Sequence, residues 1–249
     1  MTKLGIATFA LGLFVGAGRA RASGLNVSPV QVWLTPDVSK SLITLRNEGP
    51  DEARYQITVM LWDEDARTGM KLSPTEDVVV FPTVLQLKPG ETKGLRVGPA
   101  VPFGPVEKTY RVFIEEMPAP QKAETRATVR VLTRIGIPVF VAPVKAFEDR
   151  RLSAIQIGKS SASVEVENTG NVHFRVETVR LEGFGEGGAK LFEQQAQGWY
   201  VLAAGHKRYD LEIPRAACPQ VRKLLVSVKT DGEQVFQEPL ATPGGACGT

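Results

Sequence analysis

The chain has 249 residues, 43% of them hydrophobic and 23% charged, which is long enough for two domains that each bury a core. Its formal net charge is +3, from 30 basic and 27 acidic residues. Three of the basic residues, Lys3, Arg19 and Arg21, lie in an N-terminal segment without acidic residues, so the remaining chain carries 27 charges of each sign. This neutral remainder argues against a general nucleic-acid surface.

Residues 1–22 have the pattern of a signal peptide. Lys3 is followed by a short apolar run, and Ala20-Arg21-Ala22 supplies a small-x-small cleavage site. The run is too short for a comfortable membrane span. We therefore expect cleavage after Ala22 and export to the periplasm, with a retained N-terminal anchor as the alternative.

From Leu25 onward, short stretches rich in alternating or β-branched residues follow one another, separated by turns such as Lys88-Pro89-Gly90. Seven such strands in about 120 residues are typical of an immunoglobulin-like β-sandwich. The polar stretch 148–151 marks a hinge, after which a second series of strands begins. The sequence predicts an all-β protein with two immunoglobulin-like β-sandwich domains, over residues 23–146 and 147–249.

The stretch 126–143, RATVRVLTRIGIPVFVAP, carries a ridge of β-branched residues. Successive strand residues point to opposite faces, so one face is largely cationic and small. The other face holds Val129, Val131, Thr133, Ile135, Ile137 and Val139. Such a strand either completes its own sheet or is lent to another protein as an extra strand.

No catalytic or metal-binding constellation is present in the sequence. It has no Gly-x-Ser-x-Gly, no His-Glu-x-x-His and no phosphate-binding glycine loop. His173 and His206 have no partners at fixed spacing, and we predict both to be surface residues. The acidic cluster 63–65 is predicted to be a solvated turn. We therefore expect no enzyme activity, no cofactor and no metal site.

The two cysteines, Cys218 and Cys247, both lie near the C-terminus. An even pair in an exported protein most simply forms one structural disulfide, which here closes the last segment. A redox role is the less favoured alternative, because the sequence has no Cys-x-x-Cys.

Five segments follow one another in a fixed order along the chain. They are Val27-Ser28-Pro29, the stretch 81–97 with Phe81-Pro82 at its start, the stretch 110–118, the ridge, and the stretch 164–171. As an ordered set they resemble the periplasmic pilus-assembly chaperones of the chaperone–usher pathway, which are PapD-like. The motif Asn-Thr-Gly-Asn at 168–171 and the ending Ile-Pro-Val-Phe-Val-x-Pro look most like the archaic branch, which serves spore-coat-protein-U-type subunits.

The resemblance implies donor-strand complementation. A pilin subunit is an incomplete sandwich that lacks its last strand, and the chaperone lends its strand 126–139 to the exposed groove. The side chains implied to contact the subunit are Val129, Val131, Thr133, Ile135 and Ile137. The implied partners are pilin-like subunits and an outer-membrane usher, with no nucleic acid and no small-molecule cofactor.

The sequence departs from the better-known chaperones at the positions that hold the subunit's C-terminal carboxylate. Those chaperones use an Arg in the first strand and a Lys on the lent strand, where this sequence has Gln31 and Pro138. Ala142 likewise stands where many relatives carry an Arg that braces the two domains. We therefore expect the carboxylate site to be rebuilt, and the brace to be missing or rebuilt.

We predict that Arg111 substitutes as the carboxylate anchor, with Arg134 as its partner and Gln31 as a neutral donor. A buried carboxylate without a cation is expensive, and a cation among Tyr110, Val112 and Phe113 needs a reason to be there. The alternative is that Arg111 pairs with Glu115 or Glu116 on its own sheet.

Two other classes of protein compete with the chaperone. A stand-alone exported β-sandwich with a structural or adhesive role would itself carry a polymerising extension or lack a strand, whereas this chain has a full set of strand patterns. A secreted hydrolase on a sandwich scaffold would need a convergent acid, base or nucleophile, which the sequence does not offer.

Overall fold

The computed structural model describes residues 24–65, 69–118, 131–158, 160–232 and 235–242, and most of these residues lie in β-strands. The predicted signal peptide lies outside these ranges. Two short 3-10 turns, Glu186–Gly188 and Cys218–Gln220, are the only helical elements of the described residues. None of the described helices is long and apolar enough to cross a membrane.

The first sandwich is built from two facing sheets. One has the strand order β1-β3-β8-β6 and the other β2-β10-β9-β4-β5, with β7 also paired to β4. Ile43, Leu95 and Val112 are among the side chains that the two sheets bury between them. The strands are β1 (Leu25–Ser28), β2 (Val32–Leu34), β3 (Ser41–Asn47), β4 (Ala53–Asp65), β5 (Gly69–Pro74), β6 (Val78–Phe81), β7 (Val84–Leu87), β8 (Thr92–Pro99), β9 (Lys108–Met117) and β10 (Arg134–Val141).

The second sandwich packs a sheet of order β11-β12-β16 on one of order β14-β13-β17-β18, with β15 paired to β13. In β12 every second side chain is buried, as expected for a strand with one face on a core. Val164, Leu181 and Val226 belong to that core. The strands are β11 (Arg150–Gly158), β12 (Ser161–Asn168), β13 (Phe174–Phe184), β14 (Lys190–Gln197), β15 (Tyr200–Val201), β16 (His206–Glu212), β17 (Lys223–Thr230) and β18 (Val235–Ala241).

The predicted all-β fold with two sandwiches is confirmed, but several strand limits differ from the prediction. Strand β10 begins at Arg134, after residues 131–133, which are not in a strand, while 126–130 lie outside the described residues. The acidic cluster 63–65 is not a turn, because β4 continues through it and pairs there with β5. The polar stretch 148–151 does not form the whole link between the sandwiches, because β11 begins at Arg150.

A third, smaller apolar cluster lies where the two sandwiches meet. It contains Trp62 of β4, Phe140 of β10 and Leu202 of the second sandwich, with Leu72 and Tyr200 packed against it. Trp62 and Phe140 lie on the outer face of their sheet, and the second sandwich covers them. The contact between the sandwiches therefore includes an apolar cluster.

Candidate functional site

Strand β10 has a backbone edge that no described strand covers. On one side it pairs antiparallel with β9 over its whole length, from Arg134 opposite Glu115 to Val141 opposite Lys108. On its other side the parallel partner β2 reaches only residues 139–141. Among the described residues, the backbone of 134–138 thus keeps an edge to which a strand from another chain can add.

The side chains at the start of this edge are the accessible part of the predicted ridge. Val131 is 79% exposed and Leu132 is 44% exposed. Thr133 is half-buried, with its N–H donating to the carboxylate of Glu116 at 3.2 Å. Ile135 is half-buried against the first core. Val129 lies outside the described residues.

The structure corrects the prediction for Ile137. Its side chain is 1% exposed and belongs to the core of the first sandwich, together with Val139 and Val141. These three side chains therefore point into the first sandwich, towards the facing sheet. Within the described residues, the part of the ridge open to another protein consists of Val131, Thr133 and Ile135.

Arg111 lies in the middle of β9 and is only 8% exposed. Its guanidinium carbon is 4.1 Å from the ring centroid of Trp62 and 5.8 Å from that of Trp199 in the second sandwich. Its Nη1 donates to the carbonyl of Gly136 at a long 3.4 Å. The buried Nε and Nη2 atoms have no hydrogen-bond partner.

No carboxylate of the described residues compensates this buried cation. The two predicted alternatives have other contacts, since Glu115 pairs with Arg134 and Glu116 accepts from the backbone of Thr133. Burial lowers the pKa of Arg111, partly opposed by the nearby Tyr200. Because an arginine stays protonated in proteins, the result is a desolvated positive charge with two free donors. An anion that reached these donor atoms would compensate the charge.

The other two predicted anchor residues, Gln31 and Arg134, differ in how they lie relative to Arg111. The side-chain Nε2 of Gln31 donates to the hydroxyl of Tyr200 at 3.2 Å, and Tyr200 lies close enough to Arg111 to affect its pKa. Arg134 is 60% exposed, and it lies opposite Glu115, whereas Arg111 lies opposite Pro138. Four residues along a strand is about 13 Å, so Arg134 is not placed beside Arg111.

A buried acid–base pair that was not predicted from the sequence joins the two sandwiches. His173, predicted at the surface, is only 7% exposed. Its Nδ1 lies 2.7 Å from Oε1 of Glu107, which also accepts the backbone N–H of His173 at 3.0 Å. The imidazole stacks on Phe140 with ring centroids 3.6 Å apart. The apolar neighbours Val172 and Phe174 are the sequence signal that could have indicated burial.

This pair is one of several polar contacts between the sandwiches. Ala142 takes no part in them through a side-chain charge, and its backbone N–H donates to the carbonyl of Leu34 within the first sandwich. On the second sandwich, Lys207 pairs with Glu64 at 3.6 Å. The side-chain amide of Asn171 donates to the carbonyls of Pro105 and Lys145 at 2.7 and 2.8 Å.

The remaining candidates lie apart from this boundary. Cys218 is buried in the turn Cys218–Gln220, and Cys247 lies outside the described residues, so their pairing stays a prediction. His206 is exposed, as predicted. The described ranges contain no group of three or more His, Cys, Asp or Glu side chains suited to hold a metal.

Residues 24–146 match the sequence family of pili and flagellar-assembly chaperones, as its PapD N-terminal domain. Residues 24–146 therefore belong to the PapD-like chaperone family, as its N-terminal domain. The matched range includes β1 to β10, and therefore the open edge of β10 and Arg111. A comparison with curated proteins found no match to this chaperone.

Solved structures share the fold of this chaperone. The CsuC–CsuE chaperone–tip adhesion subunit complex from the archaic Csu pili of Acinetobacter baumannii is 18% identical, with a TM-score of 0.58 over 88% of this chain and 97% of the matched chain. The complex of SafA pilin with the SafB chaperone from Salmonella enterica is 16% identical, with a TM-score of 0.55 over 89% and 98%. The DraB chaperone of E. coli is 17% identical, with a TM-score of 0.54 over 88% and 99%.

Proposed function

We propose that this chain is a periplasmic chaperone of pilus assembly, which binds incomplete immunoglobulin-like pilin subunits and delivers them to an outer-membrane usher. Membership of the PapD-like family supports the class of protein. Two of the structurally similar chaperones were solved with a tip adhesion subunit and with a pilin, which supports the class of partner. The observation that carries the mechanism is the uncovered edge of β10.

The subunit adds its unpaired edge to β10 at residues 134–138 and gains main-chain hydrogen bonds there. Val131, Thr133 and Ile135 alternate along the chain and enter the groove of the subunit, while Ile137 stays in the chaperone's core. Each valine or isoleucine buried in this way stabilises the complex by roughly 1.5–3 kcal/mol before ordering costs. Val129 would continue the same row.

The test is co-purification from periplasm with the neighbouring pilin-like subunit. We compare wild type with a Val131→Asp/Ile135→Asp variant, and use Val79→Asp as the matched control. Val79 is 56% exposed and lies on β6, in the other sheet. A charge at 137 is unsuitable, because it would disrupt the core.

Wild type and Val79→Asp are expected to retain the subunit one to one, while the double variant folds and loses it. If all three purify alone with equal stability, the strand has no such partner. The chain would then be better described as a stand-alone exported β-sandwich with a structural or adhesive role.

Arg111 is proposed as the anchor for the subunit's C-terminal carboxylate. It is a buried cation with two free donors, beside the Gln31–Tyr200 hydrogen bond. A carboxylate at this place forms charge-assisted hydrogen bonds that no residue of the described chain supplies.

Arg111→Ala should weaken subunit binding by more than tenfold, since a charge-assisted hydrogen bond to a buried carboxylate contributes on the order of 2 kcal/mol or more. Arg134→Ala is the matched control, because it removes an exposed cation of the same sheet. Unchanged binding by Arg111→Ala in a titration calorimeter would remove the assignment. A loss on Arg134→Ala alone would transfer it to Arg134.

We also propose that the chaperone belongs to the archaic branch, on the strength of its motif at 168–171 and the ending of its ridge. Further proposals are cleavage after Ala22, a domain boundary near residue 146 and a Cys218–Cys247 disulfide. Complex formation with a spore-coat-protein-U-type subunit, but not with a PapD-type subunit, tests the branch. N-terminal sequencing of the exported protein, limited proteolysis and peptide mapping without reductant test the other three.

A further inference from the structure

The free donors of Arg111 are closed off from solvent. Both Nε and Nη2 are buried, so a carboxylate cannot reach them until a neighbouring group moves. The contacts of the guanidinium differ in how easily they can move. Trp62 is 1% exposed and held in the cluster between the sandwiches, and the carbonyl of Gly136 is fixed in β10.

Trp199 is the contact that can move. Its side chain is 41% exposed although its ring centroid lies only 5.8 Å from the guanidinium carbon of Arg111. Trp199 belongs to neither sandwich core, so turning its ring away opens no cavity in either of them. Its other ring contact is with Tyr200, edge-on at 5.5 Å between centroids. Exposed side chains change rotamer within picoseconds to nanoseconds.

The backbone that carries this ring is fixed. The carbonyl of Trp199 accepts from the N–H of Val176 at 2.9 Å, and its N–H donates to the hydroxyl of Tyr209 at 3.3 Å. The preceding Gly198 lies so close to Val176 that an added Cβ would be 2.0 Å from the carbonyl oxygen of Val176. Only the side chain of Trp199 is therefore free to turn.

We propose that Trp199 is a movable cover on Arg111, supplied by the second sandwich, which sets how readily a C-terminal carboxylate reaches the anchor. The inference rests on the proposed function of Arg111. In the free chaperone the indole contacts the buried cation through its π face. On binding, the indole turns away and the carboxylate takes its place. Binding is slowed and weakened by the fraction of molecules in which the cover is closed.

The first experiment measures the access to Arg111 without any subunit. Wild type, Trp199→Ala, Trp199→Phe and the control Trp33→Ala are treated with phenylglyoxal, and modification of Arg111 is followed by peptide mass spectrometry. Trp33 is a suitable control, because it is 50% exposed and its ring contacts are with Phe140 and His173. The exposed Arg151 serves as internal reference for reagent activity.

Trp199→Ala should raise the rate of Arg111 modification by roughly two- to fivefold, as expected for loss of one cation–π contact. Trp199→Phe should restore most of the protection, since a smaller ring can still cover the cation. Trp33→Ala should behave as wild type. Equal modification rates in wild type and Trp199→Ala would overturn the cover.

The second experiment connects the cover to the ligand. The probe is an eight-residue peptide of alternating valine and threonine with a free C-terminal carboxylate, compared with its C-terminal amide. The free acid should bind more tightly than the amide, and its association rate should rise roughly two- to fivefold in Trp199→Ala. An unchanged or lower rate would mean that Trp199 is a fixed wall of the site. Equal binding of acid and amide would instead refute Arg111 as the anchor, while the labelling experiment would still decide whether Trp199 covers it.

Discussion

The interiors of the two sandwiches and the boundary between them satisfy their polar groups very differently. Inside a sandwich, a polar side chain is fully bonded, as in Asn168, whose amide donates to the carbonyls of Val172, Val201 and Leu202 at 2.8, 3.1 and 3.0 Å. At the boundary, polar atoms are buried without partners. All buried side-chain atoms of the described residues that lack a hydrogen-bond partner lie there, namely Trp62 Nε1, Glu64 Oε2, Glu107 Oε2, and Nε and Nη2 of Arg111.

This difference indicates that the boundary is less stable than the interiors, as is common at functional sites. A buried polar group without a partner costs about 1–3 kcal/mol, and native proteins contain few of them. The groups concerned all belong to the face that the first sandwich turns towards the second. The sandwiches thus act as stable supports, and the boundary is the part suited to bind a ligand.

The largest effect should come from a charge placed inside a sandwich. Ile137→Asp puts a carboxylate into the first core and should lower the free energy of unfolding by about 3–5 kcal/mol. Val131→Asp, on the same ridge but exposed, should change it by less than about 0.5 kcal/mol. Urea unfolding followed by circular dichroism distinguishes the two. Equal stability of both variants would show that the described burial of Ile137 is not the native one.

The next effect concerns the acid–base pair between the sandwiches. His173→Ala leaves the buried Glu107 without its partner and should cost about 3 kcal/mol, and Glu107→Ala should cost a similar amount. The double variant should cost clearly less than the sum, because no orphaned group remains. A thermodynamic double-mutant cycle measures this coupling. Additive costs would mean that the two side chains contribute separately and do not form a brace.

A smaller effect of opposite sign is expected for Arg111→Met. Removing an uncompensated buried charge in favour of an apolar side chain should raise the free energy of unfolding by about 1–2 kcal/mol while subunit binding is lost. Arg134→Met, whose cation is exposed and paired, should change stability by less than about 1 kcal/mol. If Arg111→Met destabilised the fold, the arginine would have to be regarded as structural.

The strands of both sandwiches could be predicted from the sequence, because the alternation of side chains along a strand is a local signal. The sandwiches and the position of the ridge follow from it. The residue at which the ridge becomes buried could not be predicted. Alternation places Ile135 and Ile137 on the same face of the strand, and it does not tell which of them the facing sheet of the first sandwich covers. That depends on where β2 joins β10, at residues 139–141, which is a contact between segments far apart in the chain.

The boundary between the sandwiches was the least predictable part, for the same reason. Arg111 could be singled out, because a cation within an apolar strand is a local anomaly. Neither His173 nor Trp199 could be placed, since their roles arise only when the second sandwich meets the first. Glu64 was misplaced because its neighbours are charged, and the pairing of β4 with β5 overrode that local signal.

The smallest effect is expected from Glu64 and depends on pH. Burial raises the pKa of Glu64, and the charge and hydrogen bond of Lys207 only partly oppose this. His206 also faces this carboxylate and lowers its pKa slightly. Tyr209 lies nearby as well, and burial together with the charge of Glu64 raises the pKa of Tyr209 to about 12. The folded chain therefore holds the Glu64 proton more tightly than the unfolded chain does. Ionisation of this group thus weakens the fold as pH rises from the unfolded pKa through the folded one.

Glu64→Gln removes that ionisation and should stabilise the chaperone at pH 7, by on the order of 0.5 kcal/mol. The gain should disappear below about pH 4, where the carboxyl group is protonated in both folded and unfolded chains. Asp63→Asn, an exposed neighbour in the same strand, is the matched control and should show no such trend. Urea midpoints of the three proteins between about pH 3 and pH 8 measure the difference. A Glu64→Gln variant that is less stable than wild type at pH 7 would mean that the pair with Lys207 outweighs the burial of the carboxylate, and that this corner of the boundary is held by charge.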